Sequence, residues 1–171
     1  SFMRYVEYKV PSALDQTRGV LAIPVKKHDG RLVSHLSIKE MKALLEAPDA
    51  TTRAGIRDRA MLHVGFVAGL RVSELVGLQF QDVSLQSAPS VRIRGKGRKE
   101  RILPLCKEST RPPRAWLAVR ADALVPELFL NARDQNMSRS GFEYVLRKHL
   151  RTAASKTPSL LKKRVSPHVL R

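Results

Sequence analysis

A mainly helical domain carrying a small antiparallel β-sheet, an α+β fold, is what this sequence predicts. Three observations carry that prediction. Between residues 37 and 78, apolar residues recur at helical spacing behind recognisable start signals. Between 91 and 105 the period changes to two, around a glycine-flanked lysine. From 113 to 154 helical spacing returns.

The elements follow in order. Residues 1–33 read as a tail or linker, because Pro11, Gly19, Pro24 and Gly30 break any periodicity. Ser1-Phe2 ahead of Met3 reads as a cloning remnant. The domain is expected over 34–171. Ser37-Ile38-Lys39-Glu40 is a capping box, in which serine and glutamate each satisfy a backbone amide of the other. Ile38, Met41, Leu44 and Leu45 are expected on one face of that helix, and Pro48 ends it. A second helix is predicted from about Ala54 to Ala68, nearly all apolar after Ala60 and therefore central. Gly69 can close it in a left-handed conformation. A short helix follows over 71–78, with Val72, Leu75 and Val76 inward. Val91 and Ile93 alternate with Arg92 and Arg94, and 100–105 is again strand-like, so Gly95-Lys96-Gly97 is a hairpin turn. Residues 82–85 offer a third, short strand. Helices are predicted at about 113–124 and 139–154. Phe142, Val145, Leu146, His149, Leu150 and Ala153 form the stripe of the second. Ser166-Pro167 reads as one more helix start.

Charge narrows the partner. The 171 residues hold 32 Lys plus Arg against 15 Asp plus Glu, a net +17, which favours a polyanion: nucleic acid or an anionic membrane surface. The longest apolar run, 60–70, is about half a membrane span and holds His63. One cysteine, Cys106, excludes an internal disulfide framework and fits a reducing compartment. His28, His35 and His63 have no second ligand at metal spacing, and no glycine-rich nucleotide loop is present. No metal and no cofactor is expected. His149 and Trp116 read as packed core residues.

Three segments have the makings of a phosphate site. Arg71 lies at a helix junction, where its guanidinium could hold two phosphate oxygens; equally it could serve only as a salt bridge to Glu74. Lys96 stands between two glycines, among six Lys or Arg in 92–101 against the single Glu100. That stretch is either a groove-entering loop or a charged edge that blocks sheet aggregation. His168 and Arg171 lie three apart at a helix start, a place that favours phosphate, or they merely solvate the chain's end.

These motifs in this order resemble the catalytic domain of the tyrosine recombinases, the phage integrase and Xer-type family. Arg71 in Gly69-Leu70-Arg71-Val72-Ser73-Glu74-Leu75 looks like the family's first catalytic arginine, with Glu74 as its acidic supporting partner. Lys96 in Gly95-Lys96-Gly97-Arg98-Lys99-Glu100-Arg101 looks like its hairpin lysine, and His168 and Arg171 like its His-x-x-Arg pair. Leu128-Phe129-Leu130 before the Ser138 helix is also family-like, and the resemblance runs from about Leu36 to Arg171.

The resemblance implies DNA strand cleavage and rejoining through a 3′-phosphotyrosyl intermediate, without metal or nucleotide cofactor. Arg71, Lys96, His168 and Arg171 would be catalytic, and Arg94, Arg98, Lys99 and Arg101 would contact double-stranded DNA. It also implies a tetramer on DNA for a full-length protein and a monomer for this fragment, in a bacterial or phage setting, cytoplasmic and associated with the nucleoid. Against the family's pattern the nucleophile is absent. Tyr5, Tyr8 and Tyr144 all precede His168, so the chain reads as a catalytic domain lacking its C-terminal, tyrosine-bearing segment. The alternative is a non-catalytic DNA-binding module or degenerate relative. A third reading, an RNA-binding protein, is disfavoured by an aromatic content of 5%.

Overall fold

A computed structural model describes residues 2–24, 35–95, 100–120, 125–163 and 165–167. The chain divides into two compact units, Ser1–Leu32 and Val33–Arg171.

The first unit contains helix α1 (Phe2–Lys9), a 3-10 turn (Pro11–Ala13) and helix α2 (Leu14–Leu21). Pro11 separates the helices by opening the turn, where its missing amide is harmless. Gly19, which interrupts the sequence pattern, lies inside α2. The stretch read as tail or linker thus holds regular helix, which its short, weakly patterned segments did not announce.

In the second unit, α3 (Ile38–Glu46) starts at the expected capping box. Glu40 N donates to Ser37 Oγ over 3.2 Å, and Ser37 N donates to Glu40 Oε2 over 2.7 Å. Met41, Leu44 and Leu45 are buried, but Ile38 is 78% exposed. Ile38 does share their face, lining one hollow with Met41 and Leu45, but it lies at the open end of that face in the first turn. Helix α4 (Arg53–Val67) is central as predicted, with Ala60, Met61, Leu62 and Val64 all but inaccessible. Thr52 caps it by accepting from Gly55 N. Gly69 ends it at φ 56°, and the Leu70 amide reaches back to Gly65 O over 3.0 Å, satisfying a terminal carbonyl. Helix α5 (Val72–Val76) follows at once, with Leu75 buried.

Strands β1 (Val83–Ser84), β2 (Ser90–Arg94) and β3 (Glu100–Pro104) pair antiparallel in that order. Val91 stands opposite Leu103 and Ile93 opposite Arg101. Val91 and Ile93 face the core, while Arg92 and Arg94 face out. After a 3-10 turn (Lys107–Thr110), α6 (Arg111–Val119) begins two residues earlier than predicted and ends earlier; residues 121–124 lie outside the described set. Trp116 is buried, and its Nε1 donates to Leu128 O over 2.8 Å. The core segment Leu128-Phe129-Leu130 is inaccessible and ties to the end of α5 through Leu128 N to Leu78 O, 2.7 Å. Helix α7 (Arg139–Lys156), capped by Ser138, packs its predicted stripe against α3 and α5. A 3-10 turn (Pro158–Lys162) buries Leu160. The mainly helical fold with one small antiparallel sheet is borne out.

Candidate active site

Arg71 is the N-cap of α5, with extended backbone at φ −68° and ψ 152°. The preceding left-handed glycine and the following helix fix where its side chain leaves the chain. Glu74, one turn on, accepts from the Arg71 amide (Oε2, 2.9 Å) and from Arg71 Nη1 (Oε1, 3.1 Å). The two side chains differ sharply in exposure: 54% for Arg71 and 7% for Glu74. The carboxylate is the anchored member and the guanidinium the accessible one.

Glu74 has a second cation. Arg101 Nη2, from β3, donates to Oε2 over 2.9 Å. Burial alone would raise the pKa of Glu74. Hydrogen bonds from the Arg71 amide and side chain, joined by the Arg101 cation, outweigh it and hold the carboxyl below the ordinary range. Beside Glu74 lies a hollow of about 110 Å³, lined by Ser73, Gln79, Asp82, Arg92 and Arg94 among others. Arg94 makes long ion pairs with Asp82 (3.4 Å) and Glu100 (3.5 Å). The structure therefore brings Arg71, Glu74 and Arg101 into one charge cluster, with Arg94 in a neighbouring ion-pair cluster. Lys96, Arg98, Lys99, His168 and Arg171 lie outside the described residues. So does the helix expected after Pro167.

Chemically, two guanidiniums around one carboxylate leave a surplus positive charge. Arg71 commits Nη1 to Glu74 and no other side-chain donor among the described residues. An exposed, pre-aimed cation of this kind suits a phosphate oxygen.

One polar cluster was missed by sequence reasoning. His149 Nε2 lies 2.8 Å from Asp58 Oδ2, both residues buried, and Arg57 donates from Nε (2.9 Å) and Nη2 (2.6 Å) to Asp58 Oδ1. His149 is a packed histidine as expected, and its partner joins α4 to α7. The available signal was that Asp58 and His149 each interrupt an otherwise apolar helix face. Tyr144 lies on the opposite, exposed side of α7. Among the described residues no group of three or more His, Cys, Asp or Glu is placed to hold a metal ion. No described helix is long and apolar enough to cross a membrane.

Comparison with known proteins agrees with the resemblance carried by the motifs. The sequence profile of the phage integrase family matches residues 34–171. A putative integrase/recombinase, y4rC, of Sinorhizobium fredii is 42% identical over 171 residues, covering all of this chain and 52% of that protein. Tyrosine recombinase XerD of Yersinia pestis is 40% identical over 164 residues, covering 92% of this chain and 52% of that one. The crystal structure of XerA recombinase superposes with a TM-score of 0.71 at 28% identity, covering 98% of this chain and 59% of that one. The chain thus spans about half the length of the curated relatives it matches. With its profile match over the second unit and its Arg71 cluster in that setting, the chain belongs to the phage integrase family of tyrosine recombinases.

Proposed function

We propose that this chain supplies the phosphate-binding part of a site-specific DNA recombinase, which cleaves and rejoins duplex DNA through a 3′-phosphotyrosyl intermediate. The observation that carries the reading is the exposed Arg71 guanidinium, fixed at a helix junction by the buried carboxylate of Glu74. In the reaction, a tyrosine hydroxyl attacks the scissile phosphorus and the 5′ oxygen leaves. Arg71 and Arg171 bind the non-bridging oxygens as charge builds on them. Lys96 gives its proton to the leaving oxygen, and His168 assists proton transfer or hydrogen-bonds the phosphate. The ester to tyrosine conserves the bond energy, so rejoining by a 5′ hydroxyl needs no added energy source. In the family's order the attacking tyrosine follows the His-x-x-Arg pair, a position that none of Tyr5, Tyr8 and Tyr144 occupies.

The test uses this sequence continued through that tyrosine, on a nicked suicide duplex whose cleaved end diffuses away. A covalent protein–DNA adduct is expected, and Arg71→Ala should slow its formation on the order of 10²–10³-fold, the usual loss for one preorganised contact to developing charge. Adduct formation untouched by that substitution would remove Arg71 from the site. Duplex binding with no adduct would favour a non-catalytic DNA-binding module instead.

A further inference from the structure

Arg101 belongs to the basic stretch around the hairpin, and its charge suggests a DNA contact. Its surroundings point elsewhere. In the β2–β3 register Arg101 stands opposite Ile93, which is 2% exposed, while its chain neighbours Glu100 and Ile102 are exposed. The side chain therefore starts from the sheet's inner face and, still 40% exposed, reaches Glu74 Oε2, 2.9 Å away. That carboxylate is 7% exposed and already holds the amide and guanidinium of Arg71.

We infer that Arg101 is a positioning residue, which holds Glu74 from the strand side and thereby sets both the free charge of Arg71 and the tie between β3 and α5. The inference rests on the reading of Arg71 as a phosphate-binding group. A nearly buried carboxylate facing one arginine would bind that arginine fully, and an arginine so neutralised is a poor phosphate ligand. A second guanidinium divides the carboxylate's field and leaves Arg71 with uncommitted donors and net charge. The same bond ties β3 to α5, so strand and clamp move together. Arg101 directly precedes the outward-facing Ile102 and follows Glu100, the first residue of β3.

The experiment compares wild type, Arg101→Gln and Arg101→Lys in this chain, with Arg101→Gln also made in an Arg71→Ala background. Binding to a short duplex is measured against salt, and Glu74 is followed by carboxyl NMR and by amide exchange at Arg71. A lost phosphate contact would make the slope of log affinity against log salt shallower by about 0.9. The positioning role predicts a shallower slope for Arg101→Gln in wild type, through Arg71, but no further change when Arg101→Gln is added to Arg71→Ala. It also predicts a higher titration midpoint for Glu74, and exchange at the Arg71 amide faster by about tenfold, as its acceptor is released to reorient. Arg101→Lys, which keeps the charge without the planar fork, should fall between the two. A slope shallower by about one unit when Arg101→Gln is added to Arg71→Ala, or an unchanged Glu74 midpoint in Arg101→Gln, overturns the inference. Absence of duplex binding by wild type would sink the functional reading instead, while the NMR arm would still decide whether Arg101 holds Glu74.

Discussion

Asp58 is ionised where burial opposes charge. Burial alone would raise its pKa; the hydrogen bond from His149 and the charge and hydrogen bonds of Arg57 reverse that and lower it. Removing one partner of a buried pair leaves the rest uncompensated, so Asp58→Ala should cost about 3–5 kcal/mol, read from denaturant unfolding. Glu40 offers the complementary test in acid. Lys163 Nζ at 2.6 Å, then the Ser159 hydroxyl and the Ser37 amide, bring its pKa from 4.5 down to about 2. A carboxylate whose folded pKa is depressed contributes stability that is complete above its unfolded value and is lost as pH falls through the folded one. The stability gap between wild type and Glu40→Gln should therefore be constant above about pH 4.5 and close towards pH 2. A gap independent of pH over that range would show that Glu40 contributes by shape alone.

At the scale of elements, the turn from α4 into α5 sets the direction of Arg71. Gly69 there has φ 56°, which an L side chain adopts at a cost of about 1–2 kcal/mol. Gly69→Ala should lose about that much stability and also weaken phosphate binding, since any relief of strain rotates the Arg71 cap. A thermal scan with and without pyrophosphate separates the two effects. This corner was legible in sequence because its determinants are local: a glycine after an apolar run, and Glu74 three residues beyond Arg71. The Ser37–Glu40 box and the period-two strands around Gly95 were legible for the same reason. The missing information is non-local. Asp58 meets His149 across 91 positions, and Glu40 meets Lys163 across 123; no spacing rule links such residues before the fold does. Arg101 shows the limit within one motif. Its place in a basic run gave no sign that its side chain, 40% exposed, reaches back to Glu74.

At the scale of the whole molecule, surplus charge decides what the surface can bind. Eight carboxylates are already in ion pairs among the described residues: those of Glu7, Glu40, Asp58, Glu74, Asp82, Glu100, Asp134 and Glu143. The net +17 is therefore not spread evenly as neutral pairs and free ions. It sits on cations such as Arg147, Lys148 and Arg151, which line one hollow with Tyr144 on the outer side of α7. A surface of that kind binds a polyanion chiefly by releasing its counterions. If about six phosphates are contacted, log affinity for duplex DNA should fall with log salt at a slope of about −5. Neutralising two of those α7 cations, as in Arg147→Gln with Arg151→Gln, should make the slope shallower by up to about 1.8 if both touch phosphates. The same pair of substitutions should leave unfolding unchanged within about 0.5 kcal/mol, because neither residue has a carboxylate partner among the described residues. A flat salt response would mean that the basic surface is not there for nucleic acid, and the case for a DNA partner would then rest on the Arg71 cluster alone.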